Sequence, residues 1–339
     1  MSEDDIELNN DIKALQASLK HQINSFRKRI IEPGSVQYLS KNVDIDQLAN
    51  YSEKQSKERV YDLLSNFSLS LTTSKVFRFI QLRSFAIILE SALNACERKN
   101  PIEICFHLRN YLEFAASFSY AQDQIIPILN ELIPNIKVEF KHYDTGLSFY
   151  SPTDDFVSLN SSLVTLFLYL NAQTNVDTKK DFYSNTSIVP DKNHPLKSVS
   201  IMKKLQVFEK KIDQFHPTYD LLSEYLHPNS RPFWDNVVGQ VDKGKNKGLL
   251  VFKETPLNEL MGTIDYFFGD INRAFLEEIT FEILRQDSEF LKLQGKLSKK
   301  MRGSLKKLLT RFNYKSDSAY SKTLCVCGSK RKLIECCAS

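Results

Sequence analysis

A chain of 339 residues, 42% hydrophobic and 11% aromatic, carries enough apolar side chain for one large core or two smaller ones, which excludes a disordered or fibrous class. Its 10 glycines and 11 prolines are few for this length, so long helices are expected before many-turned sheets. The net charge of +4 conceals an asymmetry: residues 292–332 hold thirteen Lys or Arg and one acid, Asp317, which leaves 32 cations against 40 acids elsewhere.

The opening "MSEDDIELNN" is acidic and has no apolar run, so no secretory signal is expected. The uncharged run from Phe156 to Val176 contains Asn160, Ser161, Ser162, Asn171, Gln173 and Asn175. Its apolar centre, Leu163 to Leu170, is too short for a bilayer, and it reads as a buried helix. A soluble, cytoplasmic protein without a transmembrane segment is expected. In that reducing compartment clustered cysteines point to metal before disulfide.

Ile12, Leu15, Leu19, Ile23, Phe26 and Ile30 recur at steps of three and four, flanked by Lys13, Lys20 and Arg27. They predict an N-terminal helix within residues 1–34, ended by Glu32-Pro33-Gly34. So narrow a seam either packs on the body or pairs two copies into a homodimer. "NVDIDQLANYSEKQSKERVYDLLSNF" opens a second helical region at Asn42. "SKVFRFIQLRSFAIILESALNACERKN" predicts a strongly amphipathic helix with Phe77, Ile80, Phe85, Ile88 and Leu89 inward, broken at Asn100-Pro101. "IEICFHLRNYLEFAASFSYAQ" starts the next, and Cys96 and Cys105 at apolar positions are expected to be buried, inert thiols.

Ile136, Val138 and Phe140 then alternate with Lys137, Glu139 and Lys141 before the turn residues Asp144-Thr145-Gly146, so a short β-hairpin is expected near 136–150. Helix returns at 157–172, and the polar stretch 174–196 reads as a surface loop. A helix near 198–215 is expected to stop at His216-Pro217, and another carries "TYDLLSEYLHPN". "GLLVFKE" at 248–254 reads as a strand. From Pro256 a helical pattern runs through Leu260, Ile264, Phe268, Ile271 and Phe275 towards Arg285.

Leu293, Leu297, Met301, Leu305, Leu308 and Phe312 form one further stripe, flanked by Lys296, Lys299, Lys300, Arg302, Lys306, Lys307 and Arg311. This basic amphipathic helix, 291–312, either meets an acidic protein, a nucleic-acid backbone or an anionic membrane, or packs its stripe on the body and leaves its lysines solvated. Residues 313–324, including "NYKSDSAYSKT", read as a linker.

The tail, 325–339, holds four of the chain's six cysteines in the pattern C-x-C-x8-C-C: Cys325, Cys327, Cys336 and Cys337. Four thiolates are a closed, soft, tetrahedral donor set for one structural zinc, with Zn–S bonds of ~2.3 Å. Val326, Leu333 and Ile334 are the only large apolar residues between Cys325 and Ser339, so metal must supply most of the ordering free energy. Free thiols beside Lys330, Arg331 and Lys332 are the bland alternative; they would ionise and oxidise readily.

"CVCGSKRKLIECC" resembles the SEC-C motif, the zinc-binding tail of the SecA preprotein translocase ATPase and of many bacterial proteins. The matching residues are Cys325, Cys327, Gly328, Ser329, Arg331, Lys332, Cys336 and Cys337. Val326, Lys330 and Leu333 depart from the motif's usual Pro, Gly and aromatic residue, which alters the surface a partner would read but keeps the four ligands. The resemblance implies zinc and docking to a protein, ribosomal or nucleic-acid partner. It does not imply an ATPase, because no G-x-x-x-x-G-K-[ST] phosphate loop occurs.

Within the body, Arg109 and Glu113 stand at i, i+4, and Glu224 and His227 at i, i+3. "LLSEYLHPN" resembles helical HEPN-like domains, a group that includes defence ribonucleases, so Arg109, Glu113, Glu224 and His227 are the catalytic candidates of an alternative enzymatic reading. None of the six histidines follows an Arg at the four-to-six-residue gap of that nuclease signature. Glu224-x-x-His227 is half of a di-metal carboxylate site, with Asp213-x-x-His216 a poor second half. The simpler reading is a hydrogen-bonded pair at a helix C-terminus closed by Pro228. The expected architecture is thus mainly α: an N-terminal helix (1–34), a multi-helical body with one small β-hairpin (35–290), the basic helix, the linker and the zinc tail.

Overall fold

The computed structural model describes residues 3–31, 56–98, 100–144, 199–226, 237–242, 248–252, 270–311 and 331–332. Six helices are found among them: α1 (Glu3–Arg27), α2 (Ser56–Glu97), α3 (Pro101–Asp144), α4 (Ile201–Glu209), α5 (Phe215–Leu226) and α6 (Asp270–Arg311). Strands β1 (Val237–Asp242) and β2 (Gly248–Phe252) pair antiparallel, from Val237 opposite Phe252 to Asp242 opposite Gly248, with an irregularity between Val237 and Gly239. The class is mainly α.

The chain divides into two units. The first takes Met1–Ile30, Gln81–Tyr120 and Val199–Arg285; the second takes Ile31–Ile80, Ala121–Ser198 and Gln286–Ser339. Helices α2, α3 and α6 each contribute residues to both.

In the first unit the α1 seam of Ile12, Leu15, Leu19, Ile23 and Phe26 is buried in a core shared with Phe85 and Leu89 of α2, Leu108, Tyr111 and Ala115 of α3, and Ile279 and Ile283 of α6. The seam therefore spends its apolar face inside its own chain. Phe85 is the hub: it stacks on Phe26 with ring centroids 4.9 Å apart and takes Phe114, Tyr111 and Phe118 edge-on at 4.7, 5.8 and 5.6 Å. Burying each such ring stabilises by about 1.5–3 kcal/mol. Phe208 of α4 and Phe215 of α5 meet edge-on at 4.6 Å, and Lys211 Nζ donates to Ser119 Oγ of α3 at 2.9 Å.

In the second unit Leu71 and Phe77, then Ile125, Leu129 and Leu132, then Phe290, Leu293, Leu297 and Met301 are buried. Phe77 and Phe290 meet edge-on at 6.3 Å. Arg78 grips Asp287 through two hydrogen bonds of 2.7 and 3.0 Å, and Lys300 Nζ donates to the Ile133 carbonyl at 2.9 Å.

Four expectations need correction. Residues 136–144 belong to α3, not to a hairpin, and 145–150 lie outside the described residues. The apolar set that alternates there also continues the series Leu129, Ile133, Ile136, Phe140 at helical steps, and a helix already running needs only local hydrogen bonds to extend. The break expected at His216-Pro217 falls earlier, at 210–214, where Gln214 has φ of 59°. Pro217 sits in the first turn of α5, where a missing N–H leaves no bond unmade. Ile80, expected inward, is 37% exposed. The basic stretch 291–312 is no separate element up to Arg311: it is the second half of α6.

The expected break at Asn100-Pro101 is present. Asn100 Oδ1 accepts the Glu103 amide at 3.2 Å, an N-cap, with Pro101 in the first helical position. The helix expected at 157–172, the loop expected at 174–196, residues 256–269 of the last helical pattern and the linker expected at 313–324 lie outside the described residues.

Candidate functional site

Arg109 and Glu113 project from one face of α3 towards α5. Arg109 Nε lies 3.2 Å from Glu113 Oε1, although that approach is too poorly aligned for a hydrogen bond. Tyr219 of α5 closes the cluster: its hydroxyl accepts from Arg109 Nη2 at 3.1 Å and donates to Glu113 Oε1 at 2.8 Å. The guanidinium carbon is 5.3 Å from the Tyr219 ring centroid. Arg109 and Glu113 thus hold α5 against α3, and their reactive atoms are already engaged by a buried tyrosine. At side-chain exposures of 27% and 32% the ion pair itself contributes up to about 1 kcal/mol.

Glu224 is exposed on α5, and His227 lies outside the described residues. His216 stands 3.9 Å from Glu209 and 3.7 Å from Asp220, too far for direct hydrogen bonds. Among the described residues no group of three His, Cys, Asp or Glu side chains is arranged to hold a metal. Cys96 and Cys105 are buried as expected. Burial, helped by Glu97, pushes the Cys96 thiol up to about 12, and burial pushes Cys105 up to about 12 as well, so both are protonated thiols near neutral pH.

A buried polar chain was not foreseen. The hydroxyls of Tyr111 and Thr280 are 2.6 Å apart, and Thr280 donates to Gln22 Oε1 at 2.7 Å or to the Leu276 carbonyl at 3.0 Å. Gln22 Nε2 donates to Ser18 Oγ at 3.0 Å, and Ser18 donates to Glu277 Oε1 at 3.1 Å. The signal was present in the sequence: Ser18 and Gln22 run beside the α1 seam at helical spacing. Burial raises the Tyr111 phenol above its ordinary value, against the Thr280 hydrogen bond, so it remains a donor. The amide of Gln22 does not relay a proton, so the chain orders three helices rather than conducting charge.

It ends at an open groove of about 530 Å³ lined by Ala14, Ala17, Ser18 and His21 of α1 and Arg273, Ala274 and Glu277 of α6. The groove is shallow and of mixed charge.

Cys325, Cys327, Cys336 and Cys337 lie outside the described residues; within the tail only Arg331 and Lys332 are described, and both are exposed. Their donor chemistry fits zinc, four soft thiolates forming a closed set. On α6 the stripe of Leu293, Leu297 and Met301 is buried, while Lys292, Lys296 and Lys299 are exposed. Among the described residues no helix is long and apolar enough to cross a membrane. Comparison with protein-family models, with curated proteins and with solved structures finds no match to this chain.

Proposed function

We propose that this chain is a docking protein: a helical scaffold whose C-terminal cysteines fold round one structural zinc and present a basic surface to a protein, ribosomal or nucleic-acid partner. The observation that carries the reading is the pattern Cys325-x-Cys327-x8-Cys336-Cys337 with thirteen basic residues packed into 292–332. Zinc supplies cross-linking only, tying four points of a segment that has little apolar surface of its own. Arg331 and Lys332, which stand between the two cysteine pairs in sequence, are exposed. The reading is further supported by the engagement of Arg109 and Glu113 with Tyr219, which leaves them scaffold roles rather than the catalytic ones of a HEPN-like ribonuclease.

The test is metal content and thiol count on the full chain. One zinc per chain is expected, and a chelator is expected to expose four fast-reacting thiols while Cys96 and Cys105 stay protected. Cys336→Ser is expected to release the zinc without loss of helix content. Zinc content unchanged in Cys336→Ser would overturn the tail as the metal site.

A further inference from the structure

We infer that the partner is a nucleic acid, held through its phosphate backbone by a lysine row on α6; this rests on the docking reading above and names its ligand. Lys292, Lys296 and Lys299 stand at i, i+4 and i+7, on an exposed flank of α6 beside the buried Leu293, Leu297 and Met301. The row spans about 10 Å of helix at ~1.5 Å per residue.

Three observations select this ligand. The first is the absence of counter-charge. Arg27, Arg98, Arg109 and Arg285 in the first unit pair with Glu90, Glu103, Glu113 and Glu282, whereas Lys292, Lys296 and Lys299 have no acidic partner among the described residues. In sequence no Asp or Glu occurs from Phe290 to Ser316, although nine Lys or Arg do. Like charges at i, i+4, such as Lys292 and Lys296, destabilise a helix by a few tenths of a kcal/mol per pair, and a bound polyanion removes that repulsion.

The second is the fate of the apolar face. A helix that docks on an anionic membrane buries its apolar side in the lipid. Here Leu293, Leu297 and Met301 are 6%, 1% and 0% exposed within the second unit, so that face is already used.

The third is the chemistry of the row. Protein interfaces favour aromatic residues and Arg over Lys, because a Lys point charge is strongly hydrated and flexible. Phosphate backbones accept Lys readily, since binding is driven by release of condensed counterions rather than by shape. Lys306 and Lys307 continue the same spacing in sequence, and the cysteine-rich tail adds Lys330, Arg331 and Lys332. A row of this kind contacts phosphates and reads no bases.

The experiment uses the zinc-loaded full chain and a fluorescein-labelled RNA of about 20 nucleotides, longer than the ~4–16 nucleotide sites of common single-strand binders. Binding is followed by anisotropy from about 50 to 200 mM KCl, where phosphate-driven affinity falls steeply. The expected result is binding independent of base sequence. In Lys292→Gln/Lys296→Gln/Lys299→Gln the salt slope is expected to flatten by about 2, from ~0.7 per lost phosphate contact. No binding by a chain shown to contain zinc, or an unchanged slope in the triple variant, overturns the lysine row while leaving the zinc tail standing. Loss of the RNA to anionic vesicles or to polyglutamate at equal charge would also overturn it. A chain without zinc that still binds RNA through the row would instead remove the tail from the reading.

Discussion

At the scale of single residues, the second unit holds a buried ion pair. Arg78 and Asp287 have side-chain exposures of 8% and 1% and meet in a two-bond fork. Their mutual attraction roughly offsets the desolvation of both, so removing one partner is far worse than removing the pair. Asp287→Ala is expected to destabilise by about 3–5 kcal/mol in urea unfolding, and Arg78→Met/Asp287→Leu by much less. A single variant as stable as the parent would mean that water already reaches the pair. Cys96 and Cys105 make a pH prediction with a definite sign. Their folded values, about 12 against an ordinary 9.0, mean that the folded state holds protons the unfolded chain gives up. Stability is therefore full below pH 9.0 and falls as pH rises from 9.0 towards 12, by up to about 1.4 kcal/mol per pH unit for each thiol. Urea midpoints are expected to decline less steeply in that window for Cys96→Ala/Cys105→Ala than for the parent.

At the scale of elements, helix positions followed from the 3.6-residue repeat wherever one face is buried. The α1 seam, the inward Phe77, Phe85 and Leu89, and the Asn100-Pro101 break could all be read because each rests on local spacing or capping. What could not be read was where a helix fails to stop. Ile136 to Phe140 satisfies both a strand and a helix pattern, and only the helix leading into it decides. Ile80 illustrates a second limit: spacing assigns a face, but the neighbour that covers it comes from elsewhere in the chain. Within α6, Gly295 is exposed, and a Cβ built on it would meet nothing within 4 Å. Gly295→Ala is accordingly expected to raise stability by about 0.5–1 kcal/mol, seen as a higher urea midpoint with no change in slope. The opposite case is Phe85, ringed by four aromatic side chains in the first unit. Phe85→Ala is expected to cost about 3–5 kcal/mol, and a smaller loss would show that those rings collapse into the space.

At the scale of the whole molecule, the tail's four cysteines can be counted in the sequence, and their arrangement lies outside the described residues. Four cysteines in thirteen residues specify a donor set by number and softness alone, without any knowledge of the fold. The body was less legible. Arg109 and Glu113 were visible as a pair, but the residue that decides their role, Tyr219, lies more than a hundred positions away and belongs to another helix. The proposed division of labour between scaffold and tail has a direct consequence. The buried core of both units is built from side chains of the helical body, and the tail's sequence offers only Val326, Leu333 and Ile334 as large apolar residues. A chain ending at Lys322 is therefore expected to lose its zinc and keep its helices. Its far-ultraviolet circular dichroism should be that of the parent less the missing residues. Its thermal midpoint should move by less than the ~2–4 °C that 1 kcal/mol produces in large domains. A larger fall would mean that the zinc-bound tail packs on the helices and shares their cooperativity, so that zinc loss would disturb the lysine row of α6 as well as the tail.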